Sequence, residues 1–196
     1  DWRAFSGARL RAGDTRSGPV TTWRALAGVE LRVPLAVVTA GATLDMEGVE
    51  RGGAFLDVLL RLSDRWVLEV GGELSAGDTP LVAVREGIHA DSARVAITWR
   101  HSDLREAVAA ARVMEFSDGN TRLIAYARWQ ERVMNLPDWK LDLQPYVYAS
   151  SNSSQDVPYF SPERDLEAGA TVALTWLAWR RYEQDFRVRL FLTGGG

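Results

Sequence analysis

The chain has 196 residues, a charged fraction of 25% and a net charge of -3 at pH 7. This length suits one large domain, and the slightly negative charge argues against a nucleic-acid partner, which a positive field would attract. Cysteine is absent, and the only histidines are His89 and His101, so a disulfide framework and a thiolate site are excluded. No apolar run approaches the roughly 18 residues of a membrane-spanning helix, but a membrane β-barrel remains open because its strands are only half apolar.

Taken in chain order, the sequence predicts eleven β-strands. In residues 22–32, for example, apolar side chains occupy every second position and mostly polar ones the positions between. A pleated strand separates such classes onto two faces, whereas a helical period would mix them. The strands are predicted near residues 2–10, 22–32, 36–46, 54–62, 66–75, 91–100, 105–116, 121–132, 140–150, 165–177 and 184–193.

The length of these segments favours a membrane. Most span about 9 to 12 residues, whereas strands of globular proteins cluster near 5 to 6 and a tilted strand that crosses a bilayer needs about 9 to 11. We therefore predict an all-β fold, an antiparallel transmembrane β-barrel in the bacterial outer membrane, with its apolar face against outer-membrane lipid.

The connections support this prediction because short and long ones alternate. The longer set comprises residues 11–21, 47–53, 76–90 and 151–164, with one tight exception at residues 117–120, where Asp118-Gly119-Asn120 predicts a hairpin turn. Outer-membrane barrels have short periplasmic turns and long outer loops. Seven of the eight tryptophans, all but Trp23, fall near the short-turn ends, as in an aromatic girdle at a membrane interface.

The strand count indicates how this domain is organised. Single-chain bacterial barrels have an even number of strands, so eleven strands that start and end on opposite sides cannot close. We therefore expect residues 1–196 to be a portion of one outer-membrane barrel domain, truncated at both ends.

Residues that could carry catalysis are few. His89 and His101 have no partner histidine or carboxylate at ligand spacing, and they are better explained as solvated loop residues. The serines near residues 150–154 lack a G-x-S-x-G setting. We therefore expect no enzyme, no cofactor, no metal site and no catalytic residue.

The inward-facing parity carries both signs of charge. Strands three to five are mainly acidic and strands six to eight mainly basic, which predicts an acidic arc that faces a basic one. An equal alternative to a functional charge pattern is that these acids and bases simply pair with one another inside a filled lumen. The inward set also includes three aromatic side chains that suit sliding sugar rings or simply line a lumen, namely Tyr126, Tyr146 and Tyr148.

Five motifs occur in order along residues 78–183: Asp78-Thr79-Pro80-Leu81 with Gly87-Ile88-His89-Ala90-Asp91-Ser92, then Phe116-Ser117-Asp118-Gly119-Asn120-Thr121-Arg122, Tyr148-Ala149-Ser150-Ser151-Asn152, Pro158-Tyr159-Phe160-Ser161-Pro162-Glu163-Arg164-Asp165 and Trp179-Arg180-Arg181-Tyr182-Glu183. This string resembles the carboxy-terminal barrel of the PgaA-type poly-β-1,6-N-acetylglucosamine export porins of Gram-negative bacteria. Residues 1–77 resemble that barrel mainly in strand pattern.

The resemblance implies a 16-stranded outer-membrane barrel that exports partly de-N-acetylated polyglucosamine for the biofilm matrix. It also implies two partners through a part absent from this chain, a periplasmic tetratricopeptide domain and a polysaccharide deacetylase. The family's pore is acidic, whereas the inward set here is mixed.

On this resemblance we expect particular residues to contact the polymer or to hold the loops. An inner acidic track would comprise Asp45, Asp57, Glu69 and Glu73, with outer acids Asp78, Asp91 and Asp118 near the exit. Each exposed contact to a glucosamine amine would contribute only about 0–1 kcal/mol, which suits a moving chain. Structural roles in the loop motifs are expected for Tyr159, Arg164, Arg180, Arg181 and Tyr182, with the arginines paired to carboxylates such as Glu163 or Glu183.

Three alternatives to an export channel are a general diffusion porin, an outer-membrane hydrolase and a soluble binding module. A general diffusion porin also opposes acids and bases at its constriction, but the ordered loop motifs argue against it. An outer-membrane acyl hydrolase would need a Ser-His pair near the rim, and His101 lies at a tight turn beside only Ser102. A soluble barrel acting as a binding module would carry Lys and Glu where this chain carries Ala, Val and Leu.

Overall fold

The computed structural model describes residues 1–15, 18–47 and 49–196. Within them the chain forms eleven strands and one short helix, which confirms the predicted all-β antiparallel fold. The elements are β1 (Trp2–Thr15), β2 (Gly18–Val33), β3 (Ala36–Glu47), β4 (Val49–Arg61), β5 (Trp66–Leu74), α1 (Leu81–Arg85), β6 (Ala90–Ser102), β7 (Arg105–Phe116), β8 (Thr121–Asn135), β9 (Trp139–Asn152), β10 (Arg164–Arg181) and β11 (Gln184–Gly195).

All the strands belong to one sheet in which spatial order follows chain order, from β1 to β11. Each strand pairs antiparallel with the next, as expected when consecutive segments are joined by short hairpins. β1 and β11 are the two edges of this sheet. We call the end reached after β1, β3, β5, β7 and β9 the loop end, and the opposite end the turn end.

Two predicted long connections are wrong. Residues 11–15, 18–21 and 49–53 continue the strands β1, β2 and β4, and β3 extends to residue 47. These stretches contain glycines and a proline, residue types that are common in loops. The ladder bonds, however, use backbone groups, so strands at the end of a barrel tolerate weak side-chain alternation. The remaining residues, 16, 17 and 48, lie outside the described part of the chain.

The pleat separates two chemically distinct faces. On one face Val58, Val70, Val95 and Ala111 lie side by side across β4 to β7, and the apolar residues of this face are widely exposed. The opposite face carries charged residues in the next register row, Asp57, Arg94 and Arg112, with Gly71 on the strand between Asp57 and Arg94. An exposed apolar wall whose neighbouring strands pair their backbones is what lipid requires.

Tryptophans line the turn end of the apolar face. Trp66, Trp99 and Trp129 form a row with ring centroids 6.2 and 5.8 Å apart. Trp139 and Trp176 stack at 5.3 Å. This arrangement agrees with the predicted aromatic girdle, because indole rings prefer the boundary between lipid and water.

The buried core lies at the loop end, on the charged inner face. It centres on Ala83 of α1, Ala90, Met114, Phe116 and Tyr159. Two connections build it: residues 75–89, which we call the inward segment, and residues 153–163, which we call the cap segment. No helix in the described ranges is long and apolar enough to span a membrane.

Candidate functional site

The inward segment is held against the inner face by Arg24 of β2. The guanidinium donates to both carboxylate oxygens of Asp45, at 2.5 and 2.7 Å, and also to Glu73 and the Ser75 carbonyl oxygen. Only 11% of this side chain is exposed. Gly77 lies against the guanidinium, where any side chain would collide with it. A forked cation shared between two carboxylates and a backbone carbonyl thus fixes the start of the segment.

Further arginines hold the rest of the inward segment. Arg11 of β1 donates to the carbonyl oxygens of Gly77 at 2.6 Å and Thr79 at 2.9 Å. Arg85, in the last turn of α1, donates to the Thr15 hydroxyl at 2.9 Å and also reaches the Gly18 carbonyl. The segment therefore spans the inner face from β5 and β6 back to β1 and β2.

Asp78 anchors the segment on its other side. Its carboxylate accepts both terminal nitrogens of Arg112 on β7, one of them at 2.7 Å. Burial acts to raise the pKa of Asp78, but the hydrogen bonds and charge of Arg112 outweigh it and leave the pKa below its ordinary value. Asp78 is thus a charged structural anchor of the inward segment.

The cap segment is held by a buried amide network around Asn120, which is 1% exposed. Its Nδ2 donates to Tyr159 Oη and Ser161 Oγ, each at 3.1 Å, and its Oδ1 accepts the Ser154 backbone N–H at 3.0 Å. On β9, Asn152 donates to the Pro162 carbonyl oxygen at 2.7 Å. Both amide groups satisfy loop backbone that would otherwise be buried without partners.

Tyr159 connects this network to the 117–120 turn and to Phe116. Its ring stacks on Phe116 at 4.9 Å, and its hydroxyl donates to Asp118 at 3.3 Å. Arg122 bonds Asn152 Oδ1 at 2.7 Å and the Phe160 carbonyl oxygen, while its guanidinium lies over the Tyr159 ring. Burial raises the pKa of the Tyr159 hydroxyl, which stays protonated at neutral pH. Three of the sequence motifs therefore meet at one place.

The predicted inner acidic track is largely neutralised. Asp45 and Glu73 both bind Arg24, and Asp57 binds Arg94 at 2.7 Å across β5. That last pair passes over Gly71, where a side chain would collide with the carboxylate. Glu69 is exposed on the same face and has no ion-pair or hydrogen-bond partner in the described part of the chain. The predicted acidic and basic arcs are thus adjacent and interlocked.

The two other predicted exit acids have different surroundings. Asp118 accepts the Asn120 backbone N–H at 3.1 Å in the 117–120 turn, where Gly119 has φ +89° as the hairpin prediction required. Asp91 shares the pleat face of Ala93 and Val95, the apolar outer face, and accepts the Ser75 backbone N–H at 2.9 Å. A contact between Asp91 and the polymer near the exit stays a prediction.

An open aromatic strip lies on the inner face of β8 to β10. Tyr126 and Tyr148 are directly opposite each other in the ladder, and Tyr146 is opposite Arg128. All three rings are half-buried, and Tyr146 donates its hydroxyl to the exposed Glu167 on β10 at 2.6 Å. We call Tyr126, Tyr146, Tyr148 and Glu167 the tyrosine strip.

The expected arginine pairs of the last two motifs are wrong. Arg164, Arg180 and Arg181 form no ion pair with any described residue. The expected partners Glu163 and Glu183 therefore do not bind them. Arg181 instead lies over the ring of Tyr182, which is 88% exposed in a tight turn with φ +55°. Because this turn faces water, an exposed ion pair there would add little stability.

The sequence did not single out Arg24, Asn120 or Asn152 as anchors. For Asn120 and Asn152 a signal was present, because both lie inside quoted motifs at the loop end of a strand. For Arg24 the parity gave an inward position but not its partners, which come from β3 and β5.

The two histidines lie in different surroundings. His89 belongs to the inward segment, where burial and the charge of Arg51 lower its pKa below the ordinary value. His101 lies beside Trp99 at the turn end, with ring centroids 5.5 Å apart. No cluster of three or more metal-binding side chains occurs in the ranges that the structure describes.

Fold and inner face together define a class, the antiparallel transmembrane β-barrels whose polar lumen is partly filled by inward loops. The family model described as PgaA membrane beta barrel domain matches residues 1–196 in full. The chain therefore belongs to this family of outer-membrane barrel domains.

Similar proteins agree with this assignment. The chain is 28% identical over 205 residues to the "Poly-beta-1,6-N-acetyl-D-glucosamine export protein" of Escherichia coli K12, and equally to that of the O157:H7 strain. The alignments cover 100% of this chain and 24% of each relative, so the chain spans about a quarter of their length. A solved structure described as "Bacterial polysaccharide outer membrane secretin" has a TM-score of 0.89 at 24% identity. The match covers 99% of this chain and 65% of the chain in that solved structure. At this identity the likeness shows the fold alone.

Proposed function

We propose that this chain forms part of the wall of an outer-membrane channel that exports partly de-N-acetylated poly-β-1,6-N-acetylglucosamine. The observation that carries the proposal is the tyrosine strip on the inner face of β8 to β10, which the inward segment leaves uncovered. Aromatic faces contact the C–H faces of sugar rings, and Glu167 and hydroxyl groups contact their polar edges. Family membership and the export function of the E. coli relatives support the same substrate class.

The side chains of the inner face suit the passage of a polymer rather than its tight binding. Glu69 is an exposed carboxylate that can contact a glucosamine amine for about 0–1 kcal/mol, and the tyrosines add similarly small contacts. A conduit needs weak, repeated sites, because a tight site would stall the chain. The proposed activity is transport without chemistry, so no catalytic residue is assigned.

The proposal extends to the rest of the protein. We propose that further strands pair with the free edges of β1 and β11 to complete one barrel domain, since an even strand count is required for closure. The periplasmic tetratricopeptide domain and the polysaccharide deacetylase that the family resemblance implies would act through a part of the protein outside this chain.

Single-channel conductance of the full-length protein in planar bilayers tests this function. Amine-bearing glucosamine oligomers should block the current, added salt should weaken the block, and fully acetylated oligomers should block less. Glu69→Gln should weaken the amine-dependent block about threefold. Glu115→Gln is the matched control, because Glu115 lies on the outer face opposite Asp91. A large conductance that neither oligomer alters would contradict the proposal and favour a general diffusion porin.

A further inference from the structure

A second feature of the inner face is a cavity beneath the inward segment. Its volume is about 370 Å³, within the range of about 300–1,000 Å³ typical of small-molecule sites. One wall is formed by strands β1 to β4 and the other by the inward segment, including His89. The cavity lies at the loop end, away from the tyrosine strip.

The lining of this cavity is strongly basic. Five arginines and one carboxylate contribute to it among the described residues: Arg9, Arg11, Arg24, Arg51, Arg85 and Asp45. Asp45 is engaged at both oxygens by Arg24, so its charge is already balanced. Arg85 donates to a hydroxyl and a carbonyl oxygen, which are neutral acceptors, whereas the charge of Arg11 also acts on Asp78.

Two of these arginines have no partner at all within the described ranges. Arg9 lies directly opposite Arg24 in the β1–β2 ladder, but the two neighbouring carboxylates, Asp45 and Glu73, are bound by Arg24 and not by Arg9. Arg51 lies opposite Asp45, but Arg24 already occupies that carboxylate. Neither Arg9 nor Arg51 forms a hydrogen bond or an ion pair with a described residue.

A third unpartnered group belongs to His89, which lines the same cavity. The Nδ1 atom of His89 is buried and has no hydrogen-bond partner among the described residues. The His89 backbone is fixed, because its N–H donates to Ser117 Oγ and its carbonyl oxygen accepts the Ser117 N–H. A buried polar atom without a partner marks a place where a ligand or an ordered water completes the bonding.

We propose that this cavity is a binding site for a small oxyanion of the phosphate class, held by Arg9 and Arg51 with His89 at its edge. Guanidinium groups present forked N–H donors that match the oxygens of phosphate. The same lining repels the amines of de-N-acetylated glucosamine, so the site does not serve the cationic polymer. The phosphate group can be free or carried on a larger molecule.

An anion at this position would add a contact between the inward segment and β4 to the bonds that the segment already makes with β1, β2 and β3. Arg9 belongs to β1 and Arg51 to β4, while His89 ends the inward segment. A bound oxyanion would therefore tie the segment to the strands opposite it. The site would regulate how firmly the inward segment fills the loop end of the lumen.

Titration of the purified full-length protein in nonionic detergent with inorganic phosphate tests this site. Isothermal calorimetry and the thermal unfolding midpoint are followed at constant ionic strength, with chloride as the balancing anion. We expect saturable phosphate binding, and we expect Arg9→Gln and Arg51→Gln each to weaken it at least tenfold. Both variants should fold, because each removes an unpaired positive charge. Arg100→Gln is the matched control, since Arg100 pairs with Glu106 at the turn end.

A parallel titration with glucosamine 6-phosphate distinguishes the two sources of the group. Tighter binding of the sugar phosphate would support a carried phosphate, and tighter binding of inorganic phosphate a free one. Absence of saturable binding by both probes, or equal weakening in all three variants, would overturn the proposal. Neither result depends on polysaccharide export, so this test and the conductance test can fail separately.

Discussion

The inner face of this sheet differs between its two sides. At the loop end of β1 to β7, charged side chains bind one another and hold the inward segment, with Arg24 and Arg112 as the anchors. On β8 to β10, the tyrosine strip lies open beside the exposed Glu167. The comparison shows that charge on a luminal wall does not by itself define a path for substrate. Charges that satisfy each other build structure, whereas weak and uncovered groups remain available to a moving chain.

The largest expected effect comes from Arg24→Gln on the filled side. The substitution leaves Asp45 and Glu73 without their shared cation, and we expect a loss of about 3 kcal/mol in the free energy of unfolding. Denaturant unfolding of the folded barrel measures it, and trypsin cleavage after Arg85 should become faster. Arg100→Gln, which breaks a more exposed pair, should cost only about 0–1 kcal/mol. Equal costs for the two variants would contradict the anchoring role of Arg24.

Asn120→Ala should have the next largest effect, about 2 kcal/mol, because it leaves buried partners in the cap segment unsatisfied. Hydrogen exchange of the cap segment should rise while that of the inward segment stays unchanged. Asn135→Ala, at an exposed position near the turn end, is the control and should alter neither. A rise in both segments would show that they are not independent structures.

The Asp78–Arg112 pair predicts a pH dependence of the inward segment. The pKa of Asp78 is lowered in the folded protein, so its stabilisation is complete above the ordinary pKa and is lost as pH falls through the lowered value. We expect hydrogen exchange of residues 75–89, corrected for intrinsic rates, to increase below about pH 4. Asp78→Asn should show the loosened state at neutral pH already, at a cost of about 1 kcal/mol. Unchanged exchange in this variant would remove Asp78 from the anchors.

The smallest effect is expected on the open side. Tyr148→Ala should weaken current block by glucosamine oligomers about threefold, which corresponds to about 0.6 kcal/mol. Barrel stability should hardly change, because the ring is only half-buried. Tyr182→Ala, at the exposed turn, is the control and should leave the block unchanged. A reduction of block by Tyr182→Ala as large as that by Tyr148→Ala would argue against a specific strip.

The strands could be predicted from the sequence because a bilayer imposes period-two alternation, and the two faces followed from the same parity. The Asp118-Gly119-Asn120 turn was predictable for a local reason, the positive φ of Gly119. The inward course of residues 75–89 was not predictable, since it depends on Arg24 meeting carboxylates from β3 and β5. The pairing of Asp57 with Arg94 likewise required a gap at Gly71 on the strand between them.

Single-cysteine accessibility tests most directly whether the inner face of β8 to β10 lines the polymer path. This chain contains no cysteine, so Tyr148→Cys and Val147→Cys can be compared as adjacent residues of β9 on opposite faces. In the full-length protein without other cysteines, a water-soluble thiol reagent should modify Tyr148→Cys, and glucosamine oligomers should slow that reaction. Val147→Cys, against lipid, should react slowly with or without oligomer. Oligomers that fail to protect Tyr148→Cys, or that protect both positions equally, would contradict the account.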